Sequence, residues 1–137
     1  MSRVTRFFLA AAFLAGASVP AAALDGNADA GKKVFAKCQV CHTIGDTKRT
    51  IGPNLNDVIG RTAGTQAEFL AKGAGGYSKA MIAAGKAGQV WTPEEIAIYV
   101  ADPKKKIPGN KMIFPGLKNP QDAADVVAYV ATFSKTQ

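Results

Sequence analysis

Residues 38–42 read Cys38-Gln39-Val40-Cys41-His42, and the fold turns on how this stretch is read. C-x-x-C-H is the attachment signal for c-type haem. The two thiols add to the haem vinyl groups as thioethers, and the adjacent histidine can ligate the iron through a ring nitrogen. Two other chemistries use similar residues. A thioredoxin-like thiol pair expects a βαβ context and has no need of the histidine. A zinc site would take Cys38, Cys41 and His42 and then require a distant Asp or Glu, because the chain has two cysteines and one histidine in all. Haem attachment is the favoured reading, and iron in haem exchanges single electrons.

The ends of the chain support it. Arg3 and Arg6 precede an uncharged apolar run from Phe7 to Val19, and Ala21-Ala22-Ala23 follows. This is the pattern of a secretory signal peptide over residues 1–23, with cleavage expected after about Ala23. The run is too short for a membrane span, which needs roughly 20 apolar residues, so no stable membrane insertion is expected after cleavage. Covalent haem attachment in bacteria takes place outside the cytoplasm, so an export signal and C-x-x-C-H in one chain reinforce each other and point to the periplasm. Residues 24–137 then form one small domain. A core of that size is modest, and a buried porphyrin would enlarge it. Loss of Arg3 and Arg6 takes the formal charge from +7 to +5, which suits a negatively charged partner surface. Nucleic acid does not fit an exported chain with a haem signal. There is neither an internal repeat nor a second C-x-x-C-H, which argues for one haem; a monomer is expected.

The helical signals are local. A first helix is expected from about Asn27 to Lys37, with Asp29 in its first turn and Lys32, Lys33 and Lys37 later, in accord with the helix dipole. Residues 43–64 are rich in Gly, Thr, Asn and Pro and read as loop. A short helix from Thr65 to Lys72 is expected, with Thr65 as N-cap and Glu68 completing a capping box. Gly73-Ala74-Gly75-Gly76 reads as a break, and Ser78 to about Ala84 as another short helix ending at Gly85. Thr92-Pro93-Glu94-Glu95 is a strong helix start, and that helix should end by Asp102. Residues 103–118, with three prolines and two glycines, read as irregular. Asn119-Pro120-Gln121-Asp122 opens a last helix whose apolar stripe is Val126, Val127, Val130 and Phe133. No stretch alternates like a strand. The expectation is an all-α fold with long loops, which makes sense if the loops pack on a large flat cofactor.

The residue opposite His42 decides between electron transfer and small-molecule chemistry. With no second histidine, a methionine thioether is the natural candidate. Met81 lies in a short helix among alanines, where a core role is the simpler reading. Met112 lies in Ile107-Pro108-Gly109-Asn110-Lys111-Met112-Ile113-Phe114, a Pro/Gly-bounded loop able to fold over a haem face, and is favoured over Met81.

At this point the chain resembles class I c-type cytochromes, among them mitochondrial cytochrome c and the bacterial cytochrome c2 carriers. Gly31-Lys32-Lys33-Val34-Phe35 before the haem motif, Gly52-Pro53-Asn54-Leu55 ten residues after His42, Trp91, Tyr99, Asp102-Pro103-Lys104-Lys105, the segment 107–114 and Asp125-Val126-Val127-Ala128-Tyr129 match in order and spacing. The resemblance implies the cytochrome c fold, with three main helices plus short ones wrapped around one covalent haem. It implies His42 and Met112 as the iron ligands. Pro53 would accept from the free ring N–H of His42. Arg61 and Trp91 would bind one haem propionate, Tyr77 would also bind a propionate, and Tyr99 would point its hydroxyl at the Met112 sulfur. Gly31 and Phe35 would pack on Val126 and Tyr129 where the terminal helices cross. Lys37, Lys104, Lys105, Lys111 and Lys118, with Lys106 beside them, would ring the exposed haem edge as a docking surface.

The function so implied is a diffusible one-electron carrier and not an enzyme. It would serve membrane redox complexes with acidic docking surfaces, a cytochrome bc1 complex as donor and a photosynthetic reaction centre or terminal oxidase as acceptor. An alternative from another class is a haem peroxidase or gas-binding cytochrome, which would need an open axial position. A thiol oxidoreductase is a third. The chain departs from the mitochondrial pattern in three places. The loop from His42 to Gly52 is one residue shorter, the stretch from Met81 to Trp91 is about three longer, and Met81 stands where a polar residue usually binds an inner water.

Overall fold

The computed structural model describes residues 24–135, and its helices begin where the sequence offers a side-chain cap. The expected signal peptide lies outside the described residues. Helix α1 (Ala28–Phe35) starts behind Asn27, whose side chain accepts from the Ala30 N–H. Its end is earlier than expected, because residues 36–41 continue as tight turns that carry both cysteines. Helix α2 (Ala67–Leu70) is capped by Gln66 and not by the expected Thr65. The Thr65 hydroxyl instead donates back to the Thr62 carbonyl at 2.7 Å, and the Gln66 side chain takes the Phe69 N–H at 2.7 Å. The glycine-rich break contains a 3-10 turn at Gly73–Gly75.

Helix α3 (Lys79–Lys86), capped by Ser78, runs through the expected stop at Gly85. That glycine serves contact: a Cβ there would sit 1.9 Å from the Ala63 carbonyl oxygen. Helix α4 (Pro93–Ala101) begins at Thr92 as expected. The expectation of an irregular 103–118 needs correction, since Pro103–Lys106 forms a short helix, α5. Asp102 caps it, accepting from the Lys105 N–H at 3.1 Å, with proline at the first helical position. Helix α6 (Pro120–Ala131) starts behind Asn119. Among the described residues the only extended pairing is an isolated antiparallel bridge between Thr62 and Val90.

Helix α6 packs on both α1 and α4. At the α1–α6 crossing, a Cβ on Gly31 would fall 1.9 Å from the Asp125 carbonyl oxygen, so only glycine admits this approach. Phe35 meets Tyr129 with ring centroids 5.3 Å apart. The Asp125 carboxylate accepts from the Asn27 N–H at 2.8 Å and from Gln121 Nε2 at 2.9 Å. The core joins Phe35, Val126, Val127 and Val130 to Ile96, Leu117, Trp91, Tyr99 and Met81. Met81 is thus a buried core residue, as expected. Leu55, Tyr77, Met112 and Phe114 pack against this core without being wholly buried.

Candidate functional site

The haem motif sits on the turns that extend α1. The N–H groups of Cys38 and Gln39 donate to the Phe35 carbonyl, and those of Cys41 and His42 to the Cys38 carbonyl. This coiling puts two thiols and an imidazole close together on one short segment. Both cysteines are free thiols. Burial pushes the Cys38 thiol up to about 11.

His42 is fixed from behind. Its Nδ1 lies 2.8 Å from the Pro53 carbonyl oxygen. A carbonyl only accepts, so Nδ1 carries the proton and Nε2 presents a lone pair. Burial lowers the His42 pKa, opposed by the bond to Pro53, which keeps the ring neutral and able to ligate. A Cβ on Gly52 would be 2.6 Å from His42 Cε1, so the segment Gly52-Pro53 forms a wall against the ring. This is the arrangement by which an outer partner orients a metal-ligating histidine.

Four residues distant in sequence converge nearby. The Trp91 N–H donates to the Arg61 carbonyl, and the Gly60 N–H to the Trp91 carbonyl, both at 2.9 Å. Trp91 lies against Tyr99 with centroids 4.9 Å apart. Burial raises Tyr99 to about 12, with Tyr77 adding to the shift. Burial also raises Tyr77, while the backbone at Gln66 and the charge of Arg61 oppose it. Arg61 is lowered by burial and supported by Tyr77 and Asp57. Its Nη1 donates to the Asn54 carbonyl at 2.7 Å and its Nη2 to the Asn56 carbonyl. What Arg61 offers a further acceptor is therefore its charge and its remaining N–H groups. Trp91 and Tyr99 are buried, yet among the described residues no protein acceptor takes the Trp91 indole N–H, and no hydrogen bond joins the Tyr99 hydroxyl to the Met112 sulfur. Donors on largely buried side chains that no protein acceptor takes suit a ligand that brings its own acceptors, such as carboxylates.

The methionine loop is held by three polar anchors that sequence reading did not identify. Asn110 accepts from the Met112 N–H at 2.9 Å. Lys111 Nζ donates to the carbonyls of Ala74 at 2.7 Å and Gly76 at 3.2 Å. The Leu117 N–H donates to the Val100 carbonyl at 2.8 Å. The candidate docking lysines separate into two groups. All five are exposed, but Lys104 and Lys111 also donate to backbone carbonyls, whereas no hydrogen bond holds the Lys37, Lys105 or Lys118 side chains among the described residues. Lys106 pairs with Glu95 at 2.5 Å.

These residues fit one covalently bound haem: two thiols not joined in a disulfide, a tautomer-fixed imidazole and aromatic donors with no protein acceptor. Comparison with known proteins agrees. The family model described as cytochrome c matches residues 28–134. The chain belongs to the cytochrome c family. It is 42% identical over 107 residues to a cytochrome c2 of Agrobacterium tumefaciens, covering 77% of this chain and 91% of the relative. It is 45% identical over 105 residues to a cytochrome c2 of Afifella marina, covering 76% of this chain and 80% of that one. The solved cytochrome c2 of Rhodospirillum centenum superimposes with a TM-score of 0.69 at 40% identity, over 80% of this chain and 99% of that one. This cytochrome is a class I c-type member with the all-α cytochrome c fold. It binds one covalent haem c through Cys38-Gln39-Val40-Cys41-His42, and it is an electron carrier, not an enzyme.

Proposed function

We propose that the chain is a diffusible periplasmic one-electron carrier in which His42 and Met112 would be the protein ligands that hold the haem iron. The observation that carries this reading is the pairing of a rear-anchored His42 with a separately anchored methionine. His42 is fixed through Nδ1 by Pro53. Met112 packs against the core from a loop tied to α5, to the 74–76 turn and to α4. When bound, the haem iron supplies a reversible one-electron couple, and a soft thioether ligand favours its reduced state. The protein's part is to keep both ligands in place whichever oxidation state the carrier is in. Arg61, Tyr77 and Trp91 would receive the propionates, with Arg61 acting mainly through charge. Tyr99 would lie near the Met112 sulfur as a neighbour and not as an established hydrogen-bond donor.

Cleavage after about Ala23 would release residues 24–137 into the periplasm as a monomer. Among the described residues no helix is long and apolar enough to cross a membrane. Lys37, Lys104, Lys105, Lys111 and Lys118 would steer the carrier to acidic surfaces on a cytochrome bc1-type donor and on a reaction centre or terminal oxidase. Exposure of the reduced holoprotein to carbon monoxide at neutral pH tests the closed site. No spectral change is expected. Stoichiometric binding would mean an open axial position and would favour a gas-binding or peroxidase function.

A further inference from the structure

Asn110 lies two residues before Met112 and is 4% exposed. Its side-chain amide makes three hydrogen bonds. Nδ2 donates to the carbonyl oxygens of Pro103 at 2.7 Å and Ile107 at 2.8 Å, and Oδ1 accepts from the Met112 N–H at 2.9 Å. The partners fix the amide orientation, because carbonyls only accept and a peptide N–H only donates. The backbone of the same residue extends the junction: its N–H donates to the Ile107 carbonyl at 3.1 Å, and its carbonyl accepts from Lys104 Nζ at 2.6 Å. One buried side chain therefore couples the start of α5, the turn after it and the backbone of the methionine.

The segment needs such a junction. Residues 107–118 have no helical ladder, Lys111 is exposed, and Ile113 is fully exposed. Burial of the flanking side chains does little to hold Met112. Methionine is unbranched and adaptable, so where its sulfur lies depends on how firmly its backbone is held.

We propose that Asn110 is a positioning residue for the axial methionine: its amide, held by Pro103 and Ile107, fixes the Met112 backbone and so opposes displacement of the thioether by other ligands. This rests on the reading of Met112 as the second iron ligand. Each local opening of the loop would break the Met112 N–H bond to Oδ1 while the terminal-helix junction stayed intact. Ligand displacement at the iron and global stability are then separate quantities.

The test is imidazole titration of the oxidised holoprotein, beside guanidinium unfolding. Asn110→Ala is expected to raise the apparent affinity for imidazole about tenfold, the effect of losing roughly one net hydrogen bond that opposes opening. Val130→Ala, in the buried core on α6, is the control: it should lower global stability and leave imidazole affinity unchanged. If Asn110→Ala does not accumulate as a haem protein, Asn110→Ser carries the same comparison. Its hydroxyl can still accept from the Met112 N–H but cannot make both carbonyl bonds, so a rise of about threefold is expected. Wild-type imidazole affinity in these variants, with the thioether-to-iron charge-transfer band of the oxidised protein retained, would overturn the inference. Absence of that band in the wild type would instead show that Met112 is not a ligand, and the inference would fall with that reading.

Discussion

His42 shows how much a single side chain depends on two neighbours it does not resemble. Pro53 contributes a carbonyl and cannot itself donate, and Gly52 contributes the absence of a side chain. A methyl at residue 52 would overlap the imidazole edge, at 2.6 Å from Cε1. Gly52→Ala is expected to cost about 1–3 kcal/mol of folding stability, the usual range for overpacking, and to shift the His42 Nδ1–H proton resonance as the bond to Pro53 loosens. Wild-type stability with an unmoved resonance would show that the ring has room. The role of His42 is legible in its motif, and that of Pro53 in the family resemblance. That of Asn110 is not. Its role is a three-way contact between α5, a turn and Met112, and the sequence pattern Pro108-Gly109-Asn110 announces only the turn.

At the scale of elements, the helix starts at α4, α5 and α6 share one device, a capping side chain followed by proline. Thr92-Pro93 and Asn119-Pro120 read as starts, whereas Asp102-Pro103 reads as a stop because Pro103 follows the helix. The same dipeptide ends α4 and begins α5, which brings Lys106 back to Glu95. The cap of α2 departs from the local pattern for a different reason: Thr65 turns its hydroxyl toward Thr62, and no local preference favours Gln66 over threonine. The Glu95–Lys106 pair is only partly buried, with side-chain exposures of 30% and 23%. Lys106→Gln should therefore cost less than about 1 kcal/mol, and the loss should shrink in high salt. A salt-independent loss of twice that size would assign Lys106 a packing role.

The α1–α6 junction carries a pH dependence. The Asn27 N–H and Gln121 hold the Asp125 carboxyl below its ordinary value. A group whose folded pKa is depressed stabilises the native state above its unfolded pKa, and the stabilisation disappears as pH falls through the folded value. Asp125→Asn should therefore be less stable than the parent at neutral pH, and the two should converge below about pH 4. Denaturant midpoints measured from pH 7 down to pH 3 check this. A gap that stays constant with pH would mean that the carboxylate charge contributes nothing at the junction.

Across the whole molecule, the organising fact is convergence. Arg61, Tyr77, Trp91 and Tyr99 come from four separate segments. Their meeting depends on the Arg61–Trp91 backbone pairing and on aromatic packing. Periodicity cannot show such long-range contacts, which is why those positions were expected only through resemblance to a family. The all-α class, by contrast, was legible from caps and apolar stripes alone. Charge also acts at this scale. With the formal charge at +5 once Arg3 and Arg6 are removed from the +7 of the full sequence, association with an acidic redox partner should slow as salt screens the attraction. Second-order electron-transfer rates in stopped flow are expected to fall steadily with ionic strength, and a flat profile would argue against lysine steering.

The central claim is that His42 and Met112 together close the iron site, and the visible-to-far-red spectrum of the oxidised holoprotein tests it most directly. A weak thioether-to-iron charge-transfer band is expected in the wild type, retained in Met81→Leu and lost in Met112→Leu. A wild-type spectrum without that band, or a band that survives Met112→Leu, would contradict it.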